Sequence, residues 1–355
     1  MTSVRDLLTR RPALRWLVPG AVAALAISAG AAANAVGTAD EDPDLPPRTA
    51  AELLVDLQNA QVGALSGTVV TKLDLGLPAL PGGGGDPEHA DLATVWSGTN
   101  TWRVWYDGPE RARLALLGTL SQQDVIRNGQ DVWMWDSGEN HATHWTLPAG
   151  TLSGPSPHPA MELTPQEAAE QALAAIEPST AVSTDDTTRV AGRDAYELVL
   201  EPRDDASMVA EVRVAIDAEE SIPLGVEVFG QGSEPAIDVG FTQISFEAPD
   251  PEQFAFNPPP GTEVTEGEAR WRALPFETGQ LPEFTTVGQG WTRVFVARLP
   301  EEGVTGMLDF VLPEGGTLSG TLFSALRTED GRVLAGLVTP EYLAEVADDP
   351  AAALD

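Results

Sequence analysis

Four histidines, His89, His141, His144 and His158, are the residues of this chain best suited to acid–base or metal chemistry. A metal needs several such ligands on one side. His141 and His144 are three apart in a stretch that reads as a strand, and alternation sends that pair to opposite faces. Serine offers no better nucleophile. Ser66-Gly67 and Ser137-Gly138 lack the strand-to-helix elbow and adjoining histidine that acyl transfer requires. Asp and Glu number 54, too many for one pair to stand out as a glycosidase acid and base. Without cysteine there is no thiolate nucleophile, disulfide or thiolate metal site. P-loop, zinc-protease and dinucleotide fingerprints are missing as well. The residues predict a protein that binds rather than catalyses, with no cofactor and no metal.

Composition narrows what is bound. Lys+Arg 20 against Asp+Glu 54 gives a formal charge of −34, which excludes a nucleic-acid partner, since that contact rests on basic residues neutralising phosphates. The acidity itself reads as solubility. At 355 residues, 42% hydrophobic and with nine Trp, the chain can bury a large core as one β-domain or two domains, and it is expected as a monomer. Arg5, Arg10, Arg11 and Arg15 precede an uncharged run from Trp16 to Ala39, and Asp40, Glu41, Asp42 and Asp44 follow. Positive-inside logic puts everything after Asp40 outside the cytoplasmic membrane. Two readings of the run stay open. It is a signal peptide cut near Ala33-Asn34-Ala35, or an uncleaved anchor, for which it is long enough. Lack of cysteine excludes an acylated N-terminus.

The elements that would position a binding surface are mostly strands. After an acidic, Pro-rich linker over 40–48, Thr49 caps a helix reaching about Gln61, with Glu52 at the capping-box position and Leu53, Leu54, Leu57 and Gln61 along its apolar stripe. A strand over 65–75 leads into a Gly/Pro-rich loop ending at Asp91. Between Thr94 and Leu147 short strands follow one another, with Asn128-Gly129 as a hairpin signal and Asp136-Ser137-Gly138 as a second turn. Trp96, Trp102, Trp105, Trp133, Trp135 and Trp145 fall here. Thr164-Pro165-Gln166-Glu167 starts a helix that Pro178 stops. Strands resume from Arg189 to Phe246, alternating in Tyr196, Leu198, Leu200 and in Val212, Val214, Ile216. Phe254 and Phe256, two apart, face one side of a closing strand that Pro258, Pro259, Pro260 and Gly261 end. The stretch 266–291 is poor in regular pattern. A smaller unit follows with three strands, an Asp330-Gly331 turn and a short helix PEYLAEVA.

Three segments in this order carry a resemblance. They are WRVWYDGPERARL from Trp102, DVIRNGQDVWMWD from Asp124, and F-x-F-x-P-P-x-G from Phe254. Together they resemble the LolA-like superfamily, which includes periplasmic lipoprotein carriers, mycobacterial glycolipid-binding lipoproteins and the N-terminal domain of RseB-type regulators. An actinobacterial envelope branch is the expected place. The resemblance implies an α+β fold, a curved antiparallel sheet forming a half-open β-barrel covered by helices, plus a small C-terminal α+β unit. It divides the chain into a leader (1–39), linker (40–48), half-barrel domain (49–266), C-terminal unit (267–347) and tail (348–355). The segment 327–347 is loosely similar to the end of the RseB second domain. One departure counts: lipoprotein carriers have an Arg latch directly before the Pro of the first segment, where this chain has Gly108.

The expected function is a non-catalytic envelope protein that holds a lipid or acyl chain, as carrier or sensor. The alternative is an RseB-like regulator binding a membrane anti-sigma factor. Partners are then a lipid, glycolipid or acylated protein, with a membrane protein as the regulator's partner. Burying alkyl chain is worth about 0.8 kcal/mol per CH₂, so affinity needs no polar recognition. Cavity candidates are Trp102, Val104, Tyr106, Leu114, Leu116, Val132, Met134, Tyr196, Leu198, Val212 and Val214. A one-residue slip would move each set outward. The helix over 164–177, with Ala168, Ala169, Ala172, Leu173 and Ile176 along one stripe, is the candidate lid, or else a helix packed permanently on the sheet.

Overall fold

The computed structural model describes residues 43–76, 98–118, 120–147, 178–267, 284–298 and 311–354. The leader, nearly all of the glycine-rich loop and the whole of the candidate lid helix lie outside these residues.

The capping box at Thr49 forms as its residues require. The Thr49 hydroxyl accepts from the Glu52 amide, and the Glu52 carboxylate takes the Thr49 amide at 2.8 Å. Helix α1 (Ala50–Asn59) follows, with Leu53 and Leu54 buried. The first six strands are β1 (Ala64–Leu73), β2 (Gly98–Asp107), β3 (Arg111–Leu117), β4 (Gln122–Asn128), β5 (Asp131–Asp136) and β6 (His141–Thr146). The next six are β7 (Thr180–Thr184), β8 (Thr188–Val190), β9 (Arg193–Pro202), β10 (Glu211–Asp217), β11 (Pro223–Phe229) and β12 (Pro235–Ser245). With β13 (Glu263–Glu266) they make a curved 13-stranded sheet. Its order is β13-β6-β5-β4-β3-β2-β1-β12-β11-β10-β9-β7, with β8 paired on β9. All neighbours are antiparallel except β13 and β6, which run parallel. The expected hairpin between β4 and β5 is present. Its loop is Gly129-Gln130, one residue later than the Asn128-Gly129 reading, because Asn128 pairs with Asp131 and Gly129 takes the positive φ of 66°.

The closing strand is a correction. Pro251 stands at the start of a 3-10 helix (Pro251–Phe254), and the Asp250 side chain accepts from the Glu252 amide. The chain therefore coils where F-x-F spacing suggested a strand. Phe254 is fully buried, and Phe256 leans on Trp133 and Trp135 at centroid distances of 5.2 and 5.9 Å. These aromatics cover the sheet instead of joining it. Only after Pro260 and Gly261 does the chain add β13 at the far edge.

A second, 5-stranded sheet contains β14 (Phe284–Val287), β15 (Val294–Arg298), β16 (Thr317–Ser319), β17 (Ser324–Arg327) and β18 (Arg332–Gly336). Helix α2 (Pro340–Ala347) packs Leu343 and Val346 against Val294, Val296 and Leu334. Ala352 closes this core, and its carbonyl accepts from the Arg332 guanidinium at 3.1 Å. Strands β13 and β14 lie at the ends of the stretch read as poor in pattern. The two sheets are bonded together: the Met208 amide donates to Leu337, and the Thr339 amide to Ala206, both at 2.9 Å.

Candidate functional site

Residues directly opposite across antiparallel neighbours share a face, so register sorts this sheet, with bulges at Thr68/Val69, Ala215/Ile216 and Val228/Phe229. One row runs Val104, Leu114, Val125, Met134 across β2 to β5. Beside it run Trp102, Leu116, Gln123 and, on the other side, Tyr106, Ala112, Arg127, Val132, Trp145. The same face continues through Val69 and Thr71 of β1, Val239 of β12 and Val226 of β11 to Val214 and Leu198. Val212, beside Leu200, and Tyr196, beside Ile216, belong to it too. All eleven cavity candidates thus stand on one face of one sheet.

They do not share one environment. Tyr196 and Leu198 are core under α1, packed on Leu53 and Leu54, with Val214 against that cluster. The Tyr196 hydroxyl donates to the Pro46 carbonyl at 3.0 Å. Val212 packs where Leu322, from the C-terminal unit, meets Val209 and Ala236. The remaining candidates form the β2–β5 stretch. Trp102 and Val132 are buried there, while Val104, Tyr106, Leu114 and Leu116 are half-buried. Met134 is 50% exposed and its partner Val125 40%. Burial pushes the Tyr106 phenol above its ordinary pKa of 10.0, as an apolar setting requires. Val125 escaped the sequence reading because Gln123 and Arg127, on the same side of its strand, break the apolar alternation. The lid candidates Ala168, Ala169, Ala172, Leu173 and Ile176 lie outside the described residues.

The opposite face is chemically different. On β3 to β6 it carries Arg113, Ala115, Asp124, Ile126, Trp133, Trp135, Ala142 and His144. The Phe254–Phe256 segment roofs it, and Arg113 donates to the Gln253 carbonyl at 3.2 Å. Toward β9 the same face becomes a charge ladder, with Lys72 on Asp238 at 2.6 Å and Arg213 on Glu197 at 2.9 Å. Burial raises the Glu197 carboxyl pKa, and burial together with Asp238 raises that of Glu227. The large sheet therefore presents an apolar face on one side and an aromatic-roofed, charged face on the other.

His141 and His144 do fall on opposite faces, His141 bonded to Thr265 at 3.0 Å and His144 between Asp131 and Glu266. Among the described residues no cluster of His, Asp and Glu is placed to hold a metal. Two open hollows, of about 370 and 470 Å³, are lined by Arg327, Thr328 and Asp330 and by Ser179, Arg203 and Trp291 respectively. Neither of these two hollows is lined by residues of the apolar face. Gly108 sits in the β2–β3 turn at φ 75°, a conformation that an arginine would adopt only with strain. The missing latch thus agrees with the backbone of this turn.

Residues 93–259 match the family model described as the MucB/RseB N-terminal domain. Among curated proteins no match was found. A solved complex of MucA and MucB from Pseudomonas aeruginosa is 18% identical, covering 84% of this chain and 96% of that one at a TM-score of 0.45. A crystal structure of MucB, also 18% identical, covers 83% and 94% at 0.40. A LolA superfamily protein from Nitrosomonas europaea is 11% identical, covering 59% and 99% at 0.22. The family-model match spans the Trp-rich strands and the Phe254–Pro259 segment, where two of the three motifs and most of the third lie. Over residues 93–259, just under half of its length, the chain is thus similar to the MucB/RseB N-terminal domain.

Proposed function

We propose that this protein binds a lipid or acyl chain on the apolar face of its large sheet and acts as an envelope carrier or sensor. The observation that carries this reading is the row Val104–Leu114–Val125–Met134, an apolar strip that shares its face with the α1-covered core yet leaves Val125 and Met134 open. Exposed contiguous apolar surface of this kind marks an interaction site. A dozen buried methylenes at about 0.8 kcal/mol each supply useful affinity. The helix over 164–177 is the proposed cover for this strip, and 49–266 and 267–347 the proposed domain limits. Purifying the chain from its native envelope and extracting it for mass spectrometry tests the reading. Lipid at near-stoichiometric amounts is expected, together with a Trp emission shift when lipid is added back. A lipid-free protein with unchanged emission would sink it.

A regulator is the second reading, and two observations favour it. The matched family model is that of MucB/RseB, and the second sheet is fixed to the first by backbone hydrogen bonds. In this reading the lipid alters binding to a membrane anti-sigma factor, the kind of partner that the RseB resemblance implies. Capture of a single-span anti-sigma protein by the tagged chain, weakened by lipid, is the expected result. Capture that lipid leaves untouched would remove the sensor role.

A further inference from the structure

Arg127 is out of place on the apolar face. Register sets it directly between Ala112 and Val132, with Tyr106 and Trp145 beyond them. Among the described residues of β2–β6 it is the only Arg or Lys on this face. Its Nε donates to the Gly129 carbonyl at 3.0 Å, within its own hairpin. Its Nη1 is shut off from solvent and has no hydrogen-bond partner. Among the described residues of β2–β6, the carboxylate that register sets on this face is Asp136, four residues further along β5 from Val132, roughly 13 Å at the strand rise. It is already engaged by Gln123 at 2.7 Å and by the Gly138 amide. A guanidinium carries five donors, and a buried one left open costs free energy that a charged acceptor would recover. Trp102 Nε1, toward the other end of the strip, is likewise buried and unpartnered. Both open positions on this face are donors, and an acceptor brought by whatever occupies the face would satisfy them.

We infer that the ligand is an acidic amphiphile, whose carboxylate or phosphate head group is held by Arg127 while its alkyl chain runs along Val125, Leu114, Met134 and Val104. This assignment rests on the lipid-binding reading above and adds the chemistry of the head group. Arg127 selects the ligand by charge in a protein whose net charge of −34 otherwise repels acids. A planar guanidinium suits carboxylate and phosphate alike, through paired hydrogen bonds.

The test uses the delipidated full chain and three probes with the same oleoyl-length chain: oleate, oleoyl lysophosphatidic acid and oleyl alcohol. Binding is followed by calorimetry below the micellar range. Both acids should bind about tenfold more tightly than the alcohol, the scale of one charge-assisted hydrogen bond. Arg127→Gln should bring the acids down to the alcohol's affinity and leave the alcohol unchanged, which also shows that the variant is folded. Arg127→Lys should retain part of the preference. Arg103→Gln, on the opposite exposed face, should change nothing. Equal binding of oleate and oleyl alcohol by the unaltered protein would overturn the head-group assignment and leave the lipid reading intact. Failure of all three probes to bind would overturn both. Displacement of oleate by inorganic phosphate alone would overturn the claim that the acid is carried on a lipid.

Discussion

Asp124 has no exposed surface, and its carboxylate is held by Arg113 at 2.8 Å and by the Gln122 amide group at 2.9 Å. Arg113 in turn ties down the segment that carries Phe254. Removing one member of a buried pair strands the other, so Asp124→Ala should cost about 3 kcal/mol in urea unfolding. The more exposed pair Lys72–Asp238 should lose less than about 1 kcal/mol when Lys72 is replaced by Ala, and equal losses would contradict the burial argument. His144 reports on the β13 edge. Burial opposes its charge, but hydrogen bonds to Asp131 and Glu266 outweigh burial and lift its pKa above the ordinary 6.5. A raised value means that the ion-pair stabilisation is full below 6.5 and fades as pH climbs through the folded pKa. Glu266→Gln should therefore lower the His144 midpoint in an NMR titration and destabilise the protein more at pH 5.5 than at pH 8.5, values chosen to bracket that window. An unmoved midpoint would show that Glu266 does not hold it.

Helix α1 covers the β9–β10 end of the apolar face, and its start depends on Thr49. Thr49→Ala should cost about 1 kcal/mol, read as a lowered midpoint in chemical unfolding. No change would mean that packing of Leu53 and Leu54 alone holds the helix. This element was legible because its signal is local, a Thr and a Glu three apart before an apolar stripe. Helix α2 is legible for the same reason, with Thr339 and Pro340 at its start. The aromatic roof was not. F-x-F has the spacing of a strand, and only the Asp250 cap and Pro251 reveal the coil. Strand β13 was harder still: all four of its residues are exposed, and its pairing with β6 spans more than a hundred residues. The apolar face itself was half legible. Alternation found Trp102, Val104 and Leu114, but Arg127 and Val125 acquire meaning only when register sets them side by side.

At the scale of the whole molecule, the two sheets are joined by direct contacts. The Ser207–Val338 bridge, the Thr321 amide on Leu75 at 2.8 Å and the Trp291 indole on Thr180 at 2.8 Å join them. Calorimetry should show one unfolding transition, and two resolved transitions would mean that the C-terminal unit is independent. Val212 of the apolar face packs against the core that holds Leu322 of the C-terminal unit. The proposed lipid has its place on the apolar face of the large sheet, not on the opposite one. The most direct measurement is lipid content by extraction and mass spectrometry for the unaltered chain, for Met134→Glu on the apolar face and for Arg103→Glu on the other. The unaltered protein and Arg103→Glu should carry near-stoichiometric lipid, and Met134→Glu should carry little. Full lipid on Met134→Glu, or its loss only from Arg103→Glu, would contradict the account.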